Sequence, residues 1–212
     1  ENGRMNTASQ TLGADQLSPE ERARANVYAL IGRLFYSAPD SDLFAQICAG
    51  SESGEGASDP SALEQAWRTL QNACRNAYPA VAKQEYDSLF VGVGKAPVTP
   101  YLFGYAEPSA PDRHLVRLRD QLSEWGFLRR NNVFEVEDHV SALSDVMRLL
   151  IEEGHPLEEQ QLFFASFVYP GAMPFFAAVQ QAPAAGFYKL VAAFAHDYFV
   201  VEREAFEMVD SV

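Results

Sequence analysis

Cysteines, basic residues and long apolar runs are all scarce in this sequence. It has two cysteines, Cys48 and Cys74, and neither lies in a CxxC pair or near a histidine at metal-binding spacing. Cys74 falls on an apolar helical face, so we expect a buried thiol there. The first thirty residues hold no continuous apolar run. No secretory signal or membrane span is visible, which predicts a cytoplasmic protein.

Positive charge is the second deficit. Lys and Arg number 16 against 29 Asp and Glu, which gives a formal net charge of -13. A surface of that sign repels phosphate, so nonspecific binding to nucleic acid or to an anionic membrane is not expected. A basic partner would be attracted, although solubility alone also explains such a charge.

Signatures of catalysis are missing as well. The "GVGKAP" stretch lacks the first glycine of a phosphate loop and has no Ser or Thr after Lys95. The sequence contains no GxSxG motif, and its histidines form neither HxxxH nor HExxH. These absences predict a protein without enzymatic activity, bound metal or cofactor.

Helical patterns fill most of the chain. "SPEE" at 18–21 and the pattern at 61–64 are capping boxes that start helices with apolar faces. A helix over 157–168 is predicted to break at "YPGAMP", with a short helix over 175–180 after it. Strand patterns and fixed-period repeats are absent. We predict an all-α fold, a compact multi-helix bundle.

The domain organisation follows from length and composition. With 212 residues, 48% of them hydrophobic, the chain is long enough for one large core. We expect a disordered tail over 1–17, in which 1–4 precede Met5 as a remnant that is not native, and one helical domain over 18–212.

"EYDSLFVGVGKAPVTPYLFGY", residues 85–105, is the least ordinary stretch. Prolines and glycines alternate with aromatic residues, whereas loops are usually polar. Two interpretations stay open: the rings plug the bundle between two helices, or the prolines hold a preformed groove that binds a peptide. We call residues 97–105 the aromatic loop.

"EVEDH" places Glu135, Glu137, Asp138 and His139 at the start of a helix. Carboxylates favour the positive end of a helix, and Asp138 could cap it. General acid–base chemistry is a less favoured interpretation. Carboxylates beside an aromatic loop would also suit a ligand that carries arginine.

These motifs together resemble the TorD/DmsD family of cytoplasmic redox-enzyme maturation chaperones, with nitrate reductase assembly chaperones as more distant relatives. The resemblance spans about residues 20 to 205. The residues that carry it are Tyr86, Leu89, Phe90, Gly92, Pro97, Pro100, Tyr101, Tyr105, Glu135, Asp138 and His139. Val136 stands where the family tends to have a proline before the Asp-His pair, and Val93 and Phe103 also depart from its pattern.

The resemblance implies a chaperone that binds the twin-arginine leader and the apoprotein of a molybdenum-cofactor enzyme of the dimethyl sulfoxide reductase superfamily. Such a chaperone assists cofactor insertion and delays export, and it is a monomer or a domain-swapped dimer. The implied leader-binding residues are Tyr86, Leu89, Phe90, Pro97, Pro100, Tyr101, Tyr105, Glu135, Asp138 and His139. The alternatives are a small metal-dependent hydrolase that uses Glu135, Asp138 and His139, and an all-α adaptor for another protein.

Overall fold

A computed structural model describes residues 17–50, 60–92, 96–127 and 137–209. The predicted tail lies outside these ranges except for Leu17, and so does Glu135. The helices are α1 (Pro19–Tyr36), α2 (Ser41–Ala49), α3 (Ala62–Asn76), α4 (Pro79–Tyr86), α5 (Phe103–Ala106), α6 (Pro111–Glu124), α7 (Val140–Glu152), α8 (Leu157–Phe163), α9 (Tyr169–Gln181) and α10 (Phe187–Val209). Wider π-helical turns follow α4 at Asp87–Val91 and α8 at Phe164–Val168.

The predicted all-α class is confirmed. In the described ranges, the one β-type pairing is an isolated antiparallel bridge between Tyr101 and His139. Both predicted capping boxes form as well. The Ser18 hydroxyl accepts from the Glu21 N–H at 3.1 Å, and the Glu21 carboxylate accepts from the Ser18 N–H at 2.9 Å. Ser61 and Glu64 repeat this exchange at the start of α3.

The core is built from rings between paired helices. Helix α1 packs on α7, α10 packs on α9 and α3, and α5 lies on α9. Phe35 is at the centre, with ring centroids 5.2 Å from Phe175, 5.9 Å from Phe90 and 6.0 Å from Tyr188. Cys74 is 5% exposed, as predicted. Its burial, together with the nearby Cys48, raises the pKa of its thiol to about 12.

The predicted break at "YPGAMP" is wrong, because residues 157–181 form one helical stretch of 25 residues. The π turn before Pro170 contains a longer hydrogen bond, from the Tyr169 N–H to the Phe164 carbonyl. Pro170 has no N–H that could donate to the carbonyl of Ser166, four residues earlier. The ring N–H of His114 donates to that carbonyl instead, at 3.1 Å. A tertiary contact thus replaces the bond that proline removes.

This same stretch has the length and composition of a membrane span. An 18-residue window within the stretch has a mean hydropathy of 1.6, and half of that window is buried inside the bundle. Its packing against α5 and α10 accounts for the apolar composition.

The start of α10 is held by Glu85, a role that no local sequence signal indicates. The Glu85 carboxylate accepts hydrogen bonds from the N–H groups of Gly186, Phe187 and Tyr188 at 2.7–2.9 Å. These N–H groups have no partner within the helix, and the negative charge also suits the positive end of the helix. Glu85, the first residue of the 85–105 stretch, therefore joins α4 to α10.

Glu85→Ala is expected to lower the free energy of unfolding by about 2 kcal/mol, because it strips the carboxylate from these amides. Urea denaturation followed by circular dichroism measures the change. Gln84→Ala is the matched control, since Gln84 is the exposed neighbour on α4. If both variants unfold at the wild-type urea concentration, Glu85 does not stabilise α10.

Candidate functional site

The aromatic loop is divided between the core and the surface. Leu102 and Phe103 are buried at 0% and 1% exposure, and Val98 is buried at 3%. Pro97 and Thr99, by contrast, are exposed. Some apolar side chains of the loop therefore fill the bundle, as the first interpretation holds, and others remain at the surface. Peptide binding by the loop stays a prediction.

The residues at the start of α7 clamp this loop. The Leu102 N–H donates to the Asp138 carbonyl at 2.9 Å, and the Val140 N–H donates to the Pro100 carbonyl at 2.9 Å. The Tyr101–His139 bridge lies between these bonds. This short antiparallel pairing holds the loop backbone in place.

The Asp138 side chain adds a further bond to this clamp. Asp138 is 9% exposed, and its carboxylate accepts from the N–H of Phe103. Burial raises the pKa of Asp138, and the hydrogen bond from Phe103 opposes that rise only in part. The carboxylate thus has a structural partner within the loop.

His139 is also engaged in the structure. It is 3% exposed, and its Nδ1 accepts from the Ser141 N–H at 3.1 Å, which caps α7. Its ring lies edge-on to Tyr101 at 5.3 Å. His139 thereby links the start of α7 to a ring of the aromatic loop.

Besides Asp138 and His139, three more of the predicted leader-binding residues lie inside the fold. Leu89 is 0% exposed and Phe90 is 9% exposed, in ring contact with Phe35 and Tyr188. Pro100 is buried as well. In this conformation these three side chains are packed inside the bundle and not on its surface.

The other four predicted residues that the structure describes are at least partly exposed. Pro97 is exposed, and Tyr101 and Tyr105 are half-buried. The ring of Tyr105 rests on Phe175 at 5.9 Å. Half-buried Tyr86 lies apart from the loop, because its hydroxyl donates to the Tyr36 carbonyl at 2.9 Å.

Glu137 brings negative charge beside the clamp. Its carboxylate accepts two hydrogen bonds from Arg119 of α6, at 3.2 and 3.1 Å. Hydrogen bonding to Glu137, together with the negative charge of that carboxylate, raises the pKa of Arg119. The sequence grouped Glu137 with Asp138, but only the fold shows that Glu137 ties α6 to the start of α7.

Substitutions at Asp138 separate its charge from its hydrogen bond. Asp138→Ala is expected to cost about 1–3 kcal/mol, because the buried Phe103 N–H loses its acceptor. Asp138→Asn keeps an acceptor oxygen and removes the carboxylate that burial disfavours, so its stability at pH 7 should equal or exceed that of the wild type. Urea denaturation of both variants measures these effects.

The pH dependence has a definite sign. Because the pKa of Asp138 is raised in the folded state, the folded protein holds this proton more tightly than the unfolded chain does. The stabilisation that the bound proton provides is therefore lost as pH rises through the folded-state pKa. Above the unfolded value near 3.8, wild-type stability should therefore fall relative to that of Asp138→Asn as the carboxyl ionises. Parallel pH profiles for the two proteins would contradict this account of Asp138.

The described residues offer no support for the alternative of a metal-dependent hydrolase. Among the described residues, no group of three or more His, Cys, Asp and Glu side chains could hold a metal ion. Glu135, one of its three proposed residues, lies outside the described ranges.

In the described ranges, the structure is therefore an all-helical bundle in which the start of α7 clamps an aromatic loop beside acidic side chains. A sequence model of the nitrate reductase delta subunit family matches residues 57–173, more than half of the 212-residue chain. The chain therefore belongs to that family. The predicted kinship with the TorD-like redox-enzyme maturation chaperones is confirmed.

Membership of this family indicates a redox-enzyme maturation chaperone. Among solved structures, one match is the crystal structure of a proposed redox enzyme maturation protein from Archaeoglobus fulgidus. The two are 19% identical over 96% of this chain and 99% of that one, with a TM-score of 0.48. No curated protein sequence matches this chain significantly.

Proposed function

We propose that this protein is a cytoplasmic chaperone that binds the twin-arginine leader of a molybdenum-cofactor oxidoreductase. It holds the apoprotein while the cofactor is inserted and delays export until then. The observation that carries the proposal is the clamped aromatic loop, which leaves Tyr101 and Tyr105 half-buried and pairs Tyr101 with His139, the neighbour of Asp138 in sequence. The chaperone itself requires no cofactor, and it acts as a monomer or a domain-swapped dimer.

The rigidity of the loop supports peptide binding. The backbone bonds of Leu102 and Val140 and the ring of Pro97 fix the loop before binding. A fixed aromatic surface gains contact area at little cost in conformational entropy. Tyrosine suits such a surface, since it offers both an apolar ring and a hydroxyl.

The charge of the chain supports a cationic ligand. The net charge of -13 attracts a basic segment over a distance. Near the loop, Glu137 shares its carboxylate with Arg119, whose side chain is 51% exposed. The Glu137 side chain is 16% exposed, so a leader arginine can reach this carboxylate only at its exposed edge, in competition with Arg119.

Isothermal titration calorimetry with a synthetic twin-arginine leader tests the proposal. The wild-type protein should bind the leader, and a peptide with both arginines replaced by glutamine should bind at least tenfold more weakly, equivalent to about 1.4 kcal/mol. Tyr101→Ala with Tyr105→Ala should also weaken binding. Val116→Ala, at an exposed position of α6, is the control.

The outcomes separate the function from the site. If the leader does not bind, or binds equally well without its arginines, the proposed function is wrong. If it binds and the double tyrosine variant retains full affinity, the loop is not the site, and another surface must be sought.

A further inference from the structure

Helix α6 is held in the bundle with little buried surface. Of its 14 residues, all of which the structure describes, Leu118 alone is fully buried. Helix α7, with 13 residues, buries Val140, Leu143, Ser144, Met147, Leu150 and Ile151. Burial of apolar surface therefore stabilises α6 less than α7, and such a helix opens locally at a lower free energy than the core does. The position of α6 accordingly depends on its polar contacts.

His114, in the first turn of α6, has an acceptor at each of its two ring nitrogens. Its Nδ1 lies 3.1 Å from a carboxylate oxygen of Glu107, the residue after α5. Its Nε2 lies 3.1 Å from the carbonyl oxygen of Ser166, in the π turn that follows α8. The ring is enclosed, since 12% of the side chain is exposed and the Phe103 ring centroid lies 4.8 Å away. One side chain thus joins α6 to two other segments of the fold.

The protonation state of His114 decides how many of these hydrogen bonds form. A neutral imidazole carries one N–H and can donate to one acceptor, whereas an imidazolium carries two. The Ser166 carbonyl only accepts, and so does the Glu107 carboxylate. When the neutral ring donates from Nε2 to Ser166, the lone pair of Nδ1 faces a carboxylate oxygen, which is repulsive. When the ring is protonated both bonds form, and the one to Glu107 is charge-assisted.

The other charges around His114 lie further from its ring. Among the described residues, Glu107 is the one ionisable side chain that bonds to the ring. The Arg117 guanidinium lies 5.9 Å from the centroid of Phe167, whose ring is 6.1 Å from that of His114. The remaining titratable side chains on the segments that contact the ring are exposed or contact other residues: Tyr105, Asp112, Arg113 and Tyr169. Glu107 therefore favours the protonated ring, and Arg117 opposes it from a greater distance.

We infer that protonation of His114 fastens α6 to the bundle, and that α6 opens more readily when His114 is neutral. Opening of α6 uncovers the rings of Phe103 and Phe167, which the His114 ring contacts and which are 1% and 4% exposed in the closed fold. The fold thus keeps apolar rings beneath a helix that a single proton helps to attach. This attachment is independent of the proposed function, because no ligand takes part in it.

Hydrogen–deuterium exchange of the α6 amides tests this inference at about pH 5.5 and about pH 8.5, on either side of the range in which histidines titrate. Protection factors are corrected for the intrinsic exchange rate at each pH. In the wild-type protein, α6 should be about fivefold less protected at the higher pH, which is the effect of one net hydrogen bond. In His114→Gln this difference should disappear, because an amide does not titrate. His196→Gln, which removes a histidine bonded to Asp197 on α10, is the matched control and should retain the difference.

Glu107→Gln separates the proton from the mere presence of the contact. The glutamine amide can donate to Nδ1 of the neutral ring, and its oxygen can accept from the protonated ring. Helix α6 of this variant should therefore be as protected at about pH 8.5 as at about pH 5.5. Equal protection of wild-type α6 at the two pH values would overturn the inference without any variant. Wild-type pH dependence in Glu107→Gln, or its loss in His196→Gln, would also overturn it, and none of these outcomes bears on leader binding.

Discussion

Glu202→Ala is expected to lower the free energy of unfolding by about 3 kcal/mol, because it breaks a buried ion pair between the two ends of the chain. Glu202 is 3% exposed and accepts from the Arg24 guanidinium at 2.6 Å and from the Tyr28 hydroxyl at 3.1 Å. Burial works to lower the pKa of Arg24, but the hydrogen bond and charge of Glu202 outweigh it and raise the pKa. Alanine would leave both donors without this acceptor.

Urea denaturation of Glu202→Ala, Glu202→Gln and Glu204→Ala checks the effect. Glutamine keeps one acceptor oxygen without the charge, so its loss should be intermediate. Glu204 lies on the same helix and is exposed, so its replacement should change stability by less than about 0.5 kcal/mol. Equal losses at the two positions would show that the ion pair contributes nothing specific.

Gly171→Ala should be comparably severe, with an expected loss of about 3 kcal/mol. A Cβ at this position would lie 2.7 Å from the Cβ of Leu102 and 2.9 Å from its carbonyl carbon, and still closer to its carbonyl oxygen. These atoms belong to the backbone and base of a buried residue, so they cannot rotate away. Helix α9 and the loop segment at Leu102 must therefore move apart, and such displacement is why overpacking destabilises a core.

The consequence of Gly171→Ala extends to the candidate site. Leu102 is the residue that Asp138 clamps, so its displacement should also weaken leader binding in calorimetry. Gly104→Ala is the matched control within the same loop, because a Cβ there meets no atom within 4 Å. Gly104→Ala should leave stability the same or slightly higher. Wild-type stability and leader affinity in Gly171→Ala would show that the contact with Leu102 is not tight.

Much of the fold was predictable because it depends on local chemistry. The serines at positions 18 and 61 cap helices through bonds to residues three positions away, and such bonds are visible in the sequence. The helix through Pro170 was not predictable, since the His114 ring that compensates for the proline lies 52 residues from Ser166. A proline in a helical pattern predicts a break, unless a residue distant in sequence donates the hydrogen bond that the proline cannot.

The candidate site was likewise predictable where it depends on local sequence and not where it depends on tertiary contacts. The sequence singled out the Asp-His pair and the aromatic stretch, but periodicity could not show that Asp138 faces Phe103 or that Leu89 lies in the core. Glu85 and Gly171 escaped notice altogether, because their partners are remote in sequence and a glutamate or glycine alone carries no such signal.

By itself the sequence determined the helical class, the acidic surface and the kinship with maturation chaperones, since composition, capping and motif order are local properties. Only the tertiary structure decided which rings are covered and which carboxylates are paired. Those features depend on helices that meet across the bundle, and their contacts join residues far apart along the chain.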